Sequence, residues 1–335
     1  MNLVTGATGL LGTHLMLDLL SRGEKVRGMK RANSNLEIVK SVFDFYPKGE
    51  TLFESIEWCE GDVLDVDALQ LAMNGCDFVY HCAAVVSYHA KDRDNMYLIN
   101  VEGTANVVNV ALSENISRLC FVSSIAALGK SKPGEVVNEM AVWSDSSYNT
   151  HYGITKFLSE MEVWRGIQEG LDAIVVNPGL IIGPGSFDRS SPSLFKKLNQ
   201  GLSYYPPGGT GFIGVVDCAK AMIDLMKKSS GGERYVLVSE NLSMKEVFCQ
   251  ISLALGKPLP TKEATPMILT LVRMAEAMKE FFSGRKALVT KESVKNASIR
   301  FYYENDKASK CLDRTFQPVL LAVKETARFL VSNNH

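Results

Sequence analysis

What this 335-residue chain has little of removes whole classes of function before any motif is read. Net charge is almost absent. The 36 Lys and Arg against 37 Asp and Glu leave −1, so no overall field draws the chain to nucleic acid or to an anionic membrane. Histidine is scarce. Five residues at positions 14, 81, 89, 151 and 335 show no zinc-ligand spacing, so no structural or catalytic metal is expected. The seven cysteines (Cys59, Cys76, Cys82, Cys120, Cys218, Cys249 and Cys311) are odd in number, scattered and without a CxxC pair. That pattern suits reduced, mostly buried thiols in a cytoplasmic protein. No apolar run approaches the roughly 18–20 residues of a membrane helix; the longest, Pro266 to Met278, is interrupted by Arg273 and Glu276. The N-terminus runs directly into a strand and a turn, so no leader is expected. Internal repeats and low-complexity tracts are missing too.

What is present suits a large folded core: 46% apolar and 22% charged residues. Short apolar runs at Leu3–Thr5, Lys25–Met29, Ile56–Glu60, Phe78–His81, Leu119–Ser123, Ala173–Asn177 and Tyr235–Val238 do not alternate strictly, which predicts strands covered on both faces. Helical patterns stand between them near Leu10–Arg22, Val66–Met73, Asn95–Glu114 and Thr155–Glu169, with a later one at Val215–Lys227. Strand and helix in repetition predict right-handed crossovers and an α/β, Rossmann-type doubly wound parallel sheet. Residues 183–213 are dense in Gly, Pro and Ser, the composition of substrate-facing loops. From Ser243 the pattern is mostly helical: Ser243 can cap Lys245–Leu255, Thr265-Pro266 can open a helix, and Pro318–Val331 reads as a last one. The expected division is a dinucleotide-binding domain of residues 1–182 and 214–240, with a smaller substrate lobe of residues 183–213 and 241–335.

Thr5-Gly6-Ala7-Thr8-Gly9-Leu10-Leu11-Gly12 follows the first strand and opens the first helix. Glycines at that spacing permit a tight turn, bring backbone N–H groups to a pyrophosphate, and let helix pack close on strand. Residues 6 to 12 are therefore candidate cofactor contacts. An NAD site usually carries an acidic residue after the second strand. Here Val26-Arg27-Gly28-Met29-Lys30-Arg31 supplies cations instead. Arg31 is placed to fork onto a 2′-phosphate or to stack on adenine, although a solvated basic turn is the plainer reading. The preference indicated is NADP over NAD, with NAD still open. Asp62, closing the third strand, can accept from the adenine amino group or cap a helix, and Asp65 is the better cap. His81-Cys82-Ala83-Ala84 places small residues where backbone passes a cofactor, and His81 itself reads as a satisfied core histidine.

Tyr152 and Lys156 stand at i and i+4, on one face of a helix. A nearby ammonium favours phenolate, so Lys156 is expected to lower the Tyr152 pKa and make it a proton donor or acceptor near neutrality. Lys156 can also hold ribose hydroxyls of the cofactor. Tyr303 and Lys307 share the spacing, but they lie beyond the expected sheet with no serine-bearing strand upstream, and read as a solvated surface pair. Ser124, 28 residues before Tyr152, either binds a substrate oxygen or caps the following turn, and Ser123 turns into the structure. Asn100, a poor helix former in a helical stretch, is expected to hold backbone or water near Lys156.

Taken in order, TGATGLLG, GDVLD, HCAA, NVEGT, SSIAALG, YGITK and NPGLIIGPG resemble the extended short-chain dehydrogenase/reductase superfamily, within it the dihydroflavonol 4-reductase and 3β-hydroxysteroid dehydrogenase branch. The resemblance covers about the first 185 residues. It implies a catalytic triad of Ser124, Tyr152 and Lys156, with the last two also touching cofactor, and Arg31 as the 2′-phosphate contact. It further implies Asp62 and Val63 at adenine, Cys82, Ala83 and Ala84 along the cofactor, and Pro178 beside nicotinamide. Related 4,6-dehydratases carry an acidic pair where Ile125 and Ala126 stand here, so dehydration is set aside. Dimerisation through the helices containing Asn95–Glu114 and Tyr152–Glu169 is a further implication.

Three functions compete. An NADPH-dependent reductase would act on a carbonyl or alcohol small molecule held between the sheet edge, residues 183–213 and Val85–Tyr88. Phe187, Leu194, Phe195, Tyr204, Tyr205 and Phe212 either line that site or form the core of the lobe. An NAD-dependent sugar-nucleotide epimerase would use the same trio, but the cations at Lys30-Arg31 and a single arginine, Arg189, in the 183–213 loops speak against diphosphate recognition. A non-catalytic dinucleotide sensor has no need of Tyr152.

Overall fold

The computed structural model describes residues 1–129, 135–146, 148–188, 191–265, 267–274 and 290–333. Arg189, Pro266 and the stretch 275–278 lie outside them. All seven expected strands form, within two residues of the expected ends: β1 (Asn2–Thr5), β2 (Val26–Lys30), β3 (Glu57–Glu60), β4 (Phe78–His81), β5 (Arg118–Val122), β6 (Ala173–Pro178) and β9 (Glu233–Leu237). They make one parallel sheet in the order β9-β6-β5-β4-β1-β2-β3. Both faces are covered, as the lack of alternation implied. Val4, Tyr80, Cys120, Ile174 and Val176 pack on one side, and Leu3, Val79, Leu119, Phe121 and Val175 on the other. Full burial of each such side chain is worth about 1.5–3 kcal/mol.

The strand order reverses between β1 and β4, the point where open α/β sheets take ligands at the carboxyl edge. Helix α1 (Leu10–Ser21) starts at that edge. It ends where Gly23, at φ +78°, lets its own N–H and that of Glu24 return to Leu20 and Leu19. Helix α2 (Gly103–Ser113) completes the expected 95–114 pattern, but only after a π-helical turn, Leu98–Glu102, that carries Asn100. Helix α3 (His151–Gln168) begins earlier than the Thr155 expected, because Thr150 accepts from the Gly153 N–H and caps it. Helix α4 (Val215–Lys228) packs against α1.

Between β6 and β9 the chain builds β7 (Leu180–Ile182) and β8 (Gly209–Gly214), which join β10 (Glu240–Ser243) in a second sheet of order β10-β8-β7. Ser243 caps Met244–Ala254 through a full capping box. Helix α5 (Lys291–Ala297) and helix α6 (Val319–Asn333) close the chain. Phe195, Tyr205 and Phe212 are buried with Phe248 and Val323 in the core of this part, with Phe187 and Leu194 packed against them, so these aromatics serve packing. Tyr204 lies outside that cluster under the Lys262 ammonium.

The second tyrosine–lysine pair is not the solvated surface pair expected. Tyr303 lies in a strand beside Val136–Val137, is 5% exposed and takes Asn241 as its backbone partner. Lys307 belongs to the next helix and meets Glu233 at 2.5 Å. A strand period separates what a helix would have aligned.

Candidate active site

At the carboxyl edge of β1 the backbone turns through Gly6 at φ +65°, a conformation that a side chain disfavours. A Cβ there would stand 2.6 Å from the Ala83 nitrogen, and one on Gly12 would stand 2.3 Å from the Gly6 carbonyl oxygen. Both glycines are thus demanded by packing. Gly9 is the extended N-cap of α1 and has no side-chain cap, so the first-turn amides that follow Thr8 and Ala7, those of Leu10, Leu11 and Gly12, sit at an uncapped helix start. A small cavity of about 20 Å³ between Thr8, Gly9 and Leu10 and the Pro184-Gly185 segment borders this turn. The glycine loop and the bare helix start fit a dinucleotide pyrophosphate.

Past β2, Arg31 is exposed, and its backbone N–H donates to Ser34. Arg27 turns away, binding Glu57 and the Ala72 and Asn74 carbonyls. Asp62 closes a short turn by accepting from the Leu64 N–H, and Asp65 caps the next helix at Ala68. Val63 is buried against Gly103. Cys82 and Ala83 bond back to Thr5, Ala84 is exposed, and Pro178 is buried at the end of β6. His81 is indeed satisfied: Thr5 on Nδ1 at 2.7 Å and Thr104 on Nε2 at 3.1 Å, with burial and Lys156 holding it neutral at about 3.

Ser124 follows β5 in extended conformation and caps the turn Ile125–Leu128, accepting from Ala126 at 3.1 Å. Gly153 lets α3 press on that turn; a Cβ would come 2.8 Å from the Ala126 oxygen. Tyr152 thereby comes close to Ser124. Capping and site roles of Ser124 coexist. Ser123 is buried with its Oγ unpartnered, turned into the structure.

The expected lowering of the Tyr152 pKa is overturned. Burial raises it above the tyrosine range, the nearby Ser124 side chain only partly offsets this, and Tyr88 pushes it further. Lys156 cannot reverse this because burial acts on it as well: it is 1% exposed, sits 4.3 Å over the Phe121 ring and is pushed down to about 7. Glu160, one further turn along α3 and fully buried, favours the ammonium.

Glu160 was not anticipated, although i+4 spacing from Lys156 signals it. Its Oε1 accepts from Asn177 at 2.6 Å, and Asn177 also donates to the Ser124 carbonyl at 2.9 Å. Its Oε2 faces Arg234 at 3.4 Å. Asn100 holds backbone as expected: it pairs with both the N–H and C=O of Val85 and donates to Thr155, next to Lys156. One contact from far along the chain carried no local signal: Glu292 of α5 accepts from the His151 N–H. A cavity of about 630 Å³ between α4 and α6, lined by Asp217, Lys324 and Arg328, touches none of the trio.

Comparison with known proteins adds a family and relatives. The model of the NAD dependent epimerase/dehydratase family matches residues 2–237. A Synechocystis sp. protein provisionally named a dihydroflavonol 4-reductase is 30% identical over 313 residues, 91% of this chain and 87% of its own. Cinnamoyl-CoA reductase 1 of Petunia hybrida is 31% identical over 275 residues, 77% and 79% of the two chains. Among solved structures, gox2253 superposes with TM-score 0.82 at 26% identity over 100% of this chain and 98% of that one. UDP-glucose 4-epimerase of Bifidobacterium longum superposes with TM-score 0.76 at 19% identity over 99% and 98%, a likeness of fold.

Proposed function

The chain belongs to the NAD dependent epimerase/dehydratase family, and on that premise we propose that it is an NADPH-dependent reductase of a ketone or aldehyde, with Tyr152 as general acid. The observation that carries this reading is the approach of Tyr152 to Ser124 at the carboxyl edge of the sheet, one helical turn from a buried lysine. When bound, the reduced nicotinamide supplies the hydride. The chain supplies the rest. Ser124 donates to the carbonyl oxygen and orients it, and Tyr152 releases its proton to that oxygen as charge develops there. A phenol held above its ordinary pKa is protonated at neutral pH, which is the state a donor needs. Lys156 holds its proton with the help of Glu160 and would hold the ribose hydroxyls of the bound cofactor. Gly6 to Gly12 take the pyrophosphate, Asp62 and Val63 border adenine, Cys82, Ala83 and Ala84 run beside the dinucleotide, and Pro178 flanks the ring. Arg31, exposed and unobstructed by a neighbouring carboxylate on its own turn, supports NADP over NAD.

Replacing Tyr152 by Phe tests the reading. Turnover of NADPH with a carbonyl panel is expected to fall by about 10²–10⁴ while calorimetric NADPH affinity stays near wild type. Unchanged turnover removes Tyr152 as the acid.

A further inference from the structure

We propose that Asn177, aimed by the buried Glu160, is a positioning residue for the reaction: it grips the backbone of Ser124 and so fixes the Ser124 hydroxyl against Tyr152. The inference rests on the reductase reading and adds to it a residue that is fully buried.

Ser124 lies past the point where the sheet can hold it. The last β5–β6 pair is Val122 with Val176, and the last ladder bond runs from the Ser123 N–H to the Val176 carbonyl at 2.8 Å. Beyond it the Asn177 side chain takes over. Its Nδ2 donates to the Ser124 carbonyl at 2.9 Å and to the Glu160 Oε1 at 2.6 Å, using both hydrogens of the amide. Ser124 is held elsewhere too, since the Ala127 N–H reaches its carbonyl at 3.0 Å and the Ala126 N–H its Oγ at 3.1 Å.

Glu160 imposes the direction of the amide. A carboxylate only accepts, so it draws the NH2 end of Asn177 towards α3 and leaves the Asn177 Oδ1 buried without a partner, an arrangement that costs stability. Glu160 is itself fixed: its Oε2 faces Arg234 of β9 at 3.4 Å, and Arg234 is locked on the Glu139 and Ala141 carbonyls at 2.6 and 2.9 Å. Tyr152, Lys156 and Glu160 follow at four-residue steps along α3. The helix that carries Tyr152 is therefore tied to the Ser124 segment at two places, through Gly153 against the Ala126 carbonyl and through Glu160 with Asn177. Two ties set a separation where one would leave a hinge. Buried polar clusters add little net stability over apolar packing, so the use of this one is geometric.

The test uses Asn177→Leu, Ser124→Ala and the double variant. It reads kcat with NADPH on the carbonyl compound turned over fastest in the panel, counted per NADPH site titrated by calorimetry, so that unfolded protein does not enter. Asn177→Leu is expected to lower kcat by about 10–100-fold, with NADPH affinity within about threefold of wild type. On the Ser124→Ala background the same change is expected to cost less than about threefold, because the clamp acts through Ser124. Amide exchange at Ala126 and Ala127 reads the clamp without turnover. Both amides are expected to speed up at least about tenfold beyond any change in β6 in Asn177→Leu and Glu160→Leu, and to stay near wild type in Glu160→Gln, which keeps an oxygen for Asn177. An unchanged kcat, equal losses on both backgrounds, or exchange at Ala126 and Ala127 that merely follows β6 overturns the inference. If Asn177→Leu does not fold, exchange in the two Glu160 variants decides it. If wild type reduces no member of the panel, the reductase reading falls, and exchange at Ala126 and Ala127 decides the clamp separately.

Discussion

Lys156→Met separates the energetic cost of the site from its chemistry. The ammonium lies 1% exposed over the Phe121 ring, and its other close titratable neighbours are neutral near pH 7: His81 at about 3 and Cys82 at about 12. Burial outweighs Glu160 and Cys82, which favour the charge, and the Lys156 pKa falls from 10.5 to about 7. At about 1.4 kcal/mol per unit, that fall corresponds to about 5 kcal/mol of burden on the native state below pH 7. The sign follows from proton counts. Between pH 7 and 10.5 the unfolded chain holds a proton that the folded one has released, so wild-type stability rises with pH across this window. Below about 7 both states are protonated and the burden is constant. Methionine has similar length and no charge. Part of the gain is offset because Glu160 then keeps only Asn177 and Arg234 as partners, so the net stabilisation expected at pH 6–7 is about 1–4 kcal/mol. Urea unfolding at pH 6, 7.5 and 9 measures it: the variant is more stable at pH 6, loses its advantage by pH 9, and turns over nothing. A variant no more stable at pH 6, with the wild-type pH slope intact, refutes the assignment of a strained lysine.

Gly12→Ala sets a methyl 2.3 Å from the Gly6 oxygen and 3.0 Å from the Ala7 Cα, backbone on both sides, so NADPH affinity is expected to drop at least about tenfold with circular dichroism unchanged. Wild-type affinity would mean that the turn does not hold the pyrophosphate. Arg31→Ala is expected to weaken NADPH by about tenfold in calorimetry and to leave NADH nearly alone; equal losses would make Arg31 a solvated residue. Glu160→Gln breaks a buried contact with Arg234 and is expected to cost about 3 kcal/mol in urea unfolding, at the low end because Arg234 keeps the Glu139 and Ala141 carbonyls. Burial lowers the pKa of His14 to about 4 and of His81 to about 3. Below 6.5 the unfolded chain protonates first, so stability should fall steeply from pH 6.5 to 4, and a His14→Leu variant should show a shallower fall.

Why the glycine turn and the placing of Ser124 near Tyr152 were legible is a matter of range. The glycine turn, the i, i+4 pair and the serine after β5 each follow from local backbone periods, and the sheet that assembles them follows from apolar runs covered on both faces. The second tyrosine–lysine pair shows how such a pattern misleads, since Tyr303 lies in a strand and the spacing no longer aligns anything. Glu292 reaches the start of α3 from a residue whose local pattern says only that a short helix is possible.

Sequence alone determined the parallel sheet and the glycine turn that opens the first helix, and it singled out Ser124, Tyr152 and Lys156 as candidates, because the forces behind these patterns act within a few residues. Tertiary structure decided the electrostatics. Whether a phenol is acidified by its ammonium neighbour depends on how much water surrounds both, and depth of burial is a property of the assembled fold. Here desolvation outweighs the attraction: Tyr152 keeps its proton, and Lys156 is left near the edge of losing its own.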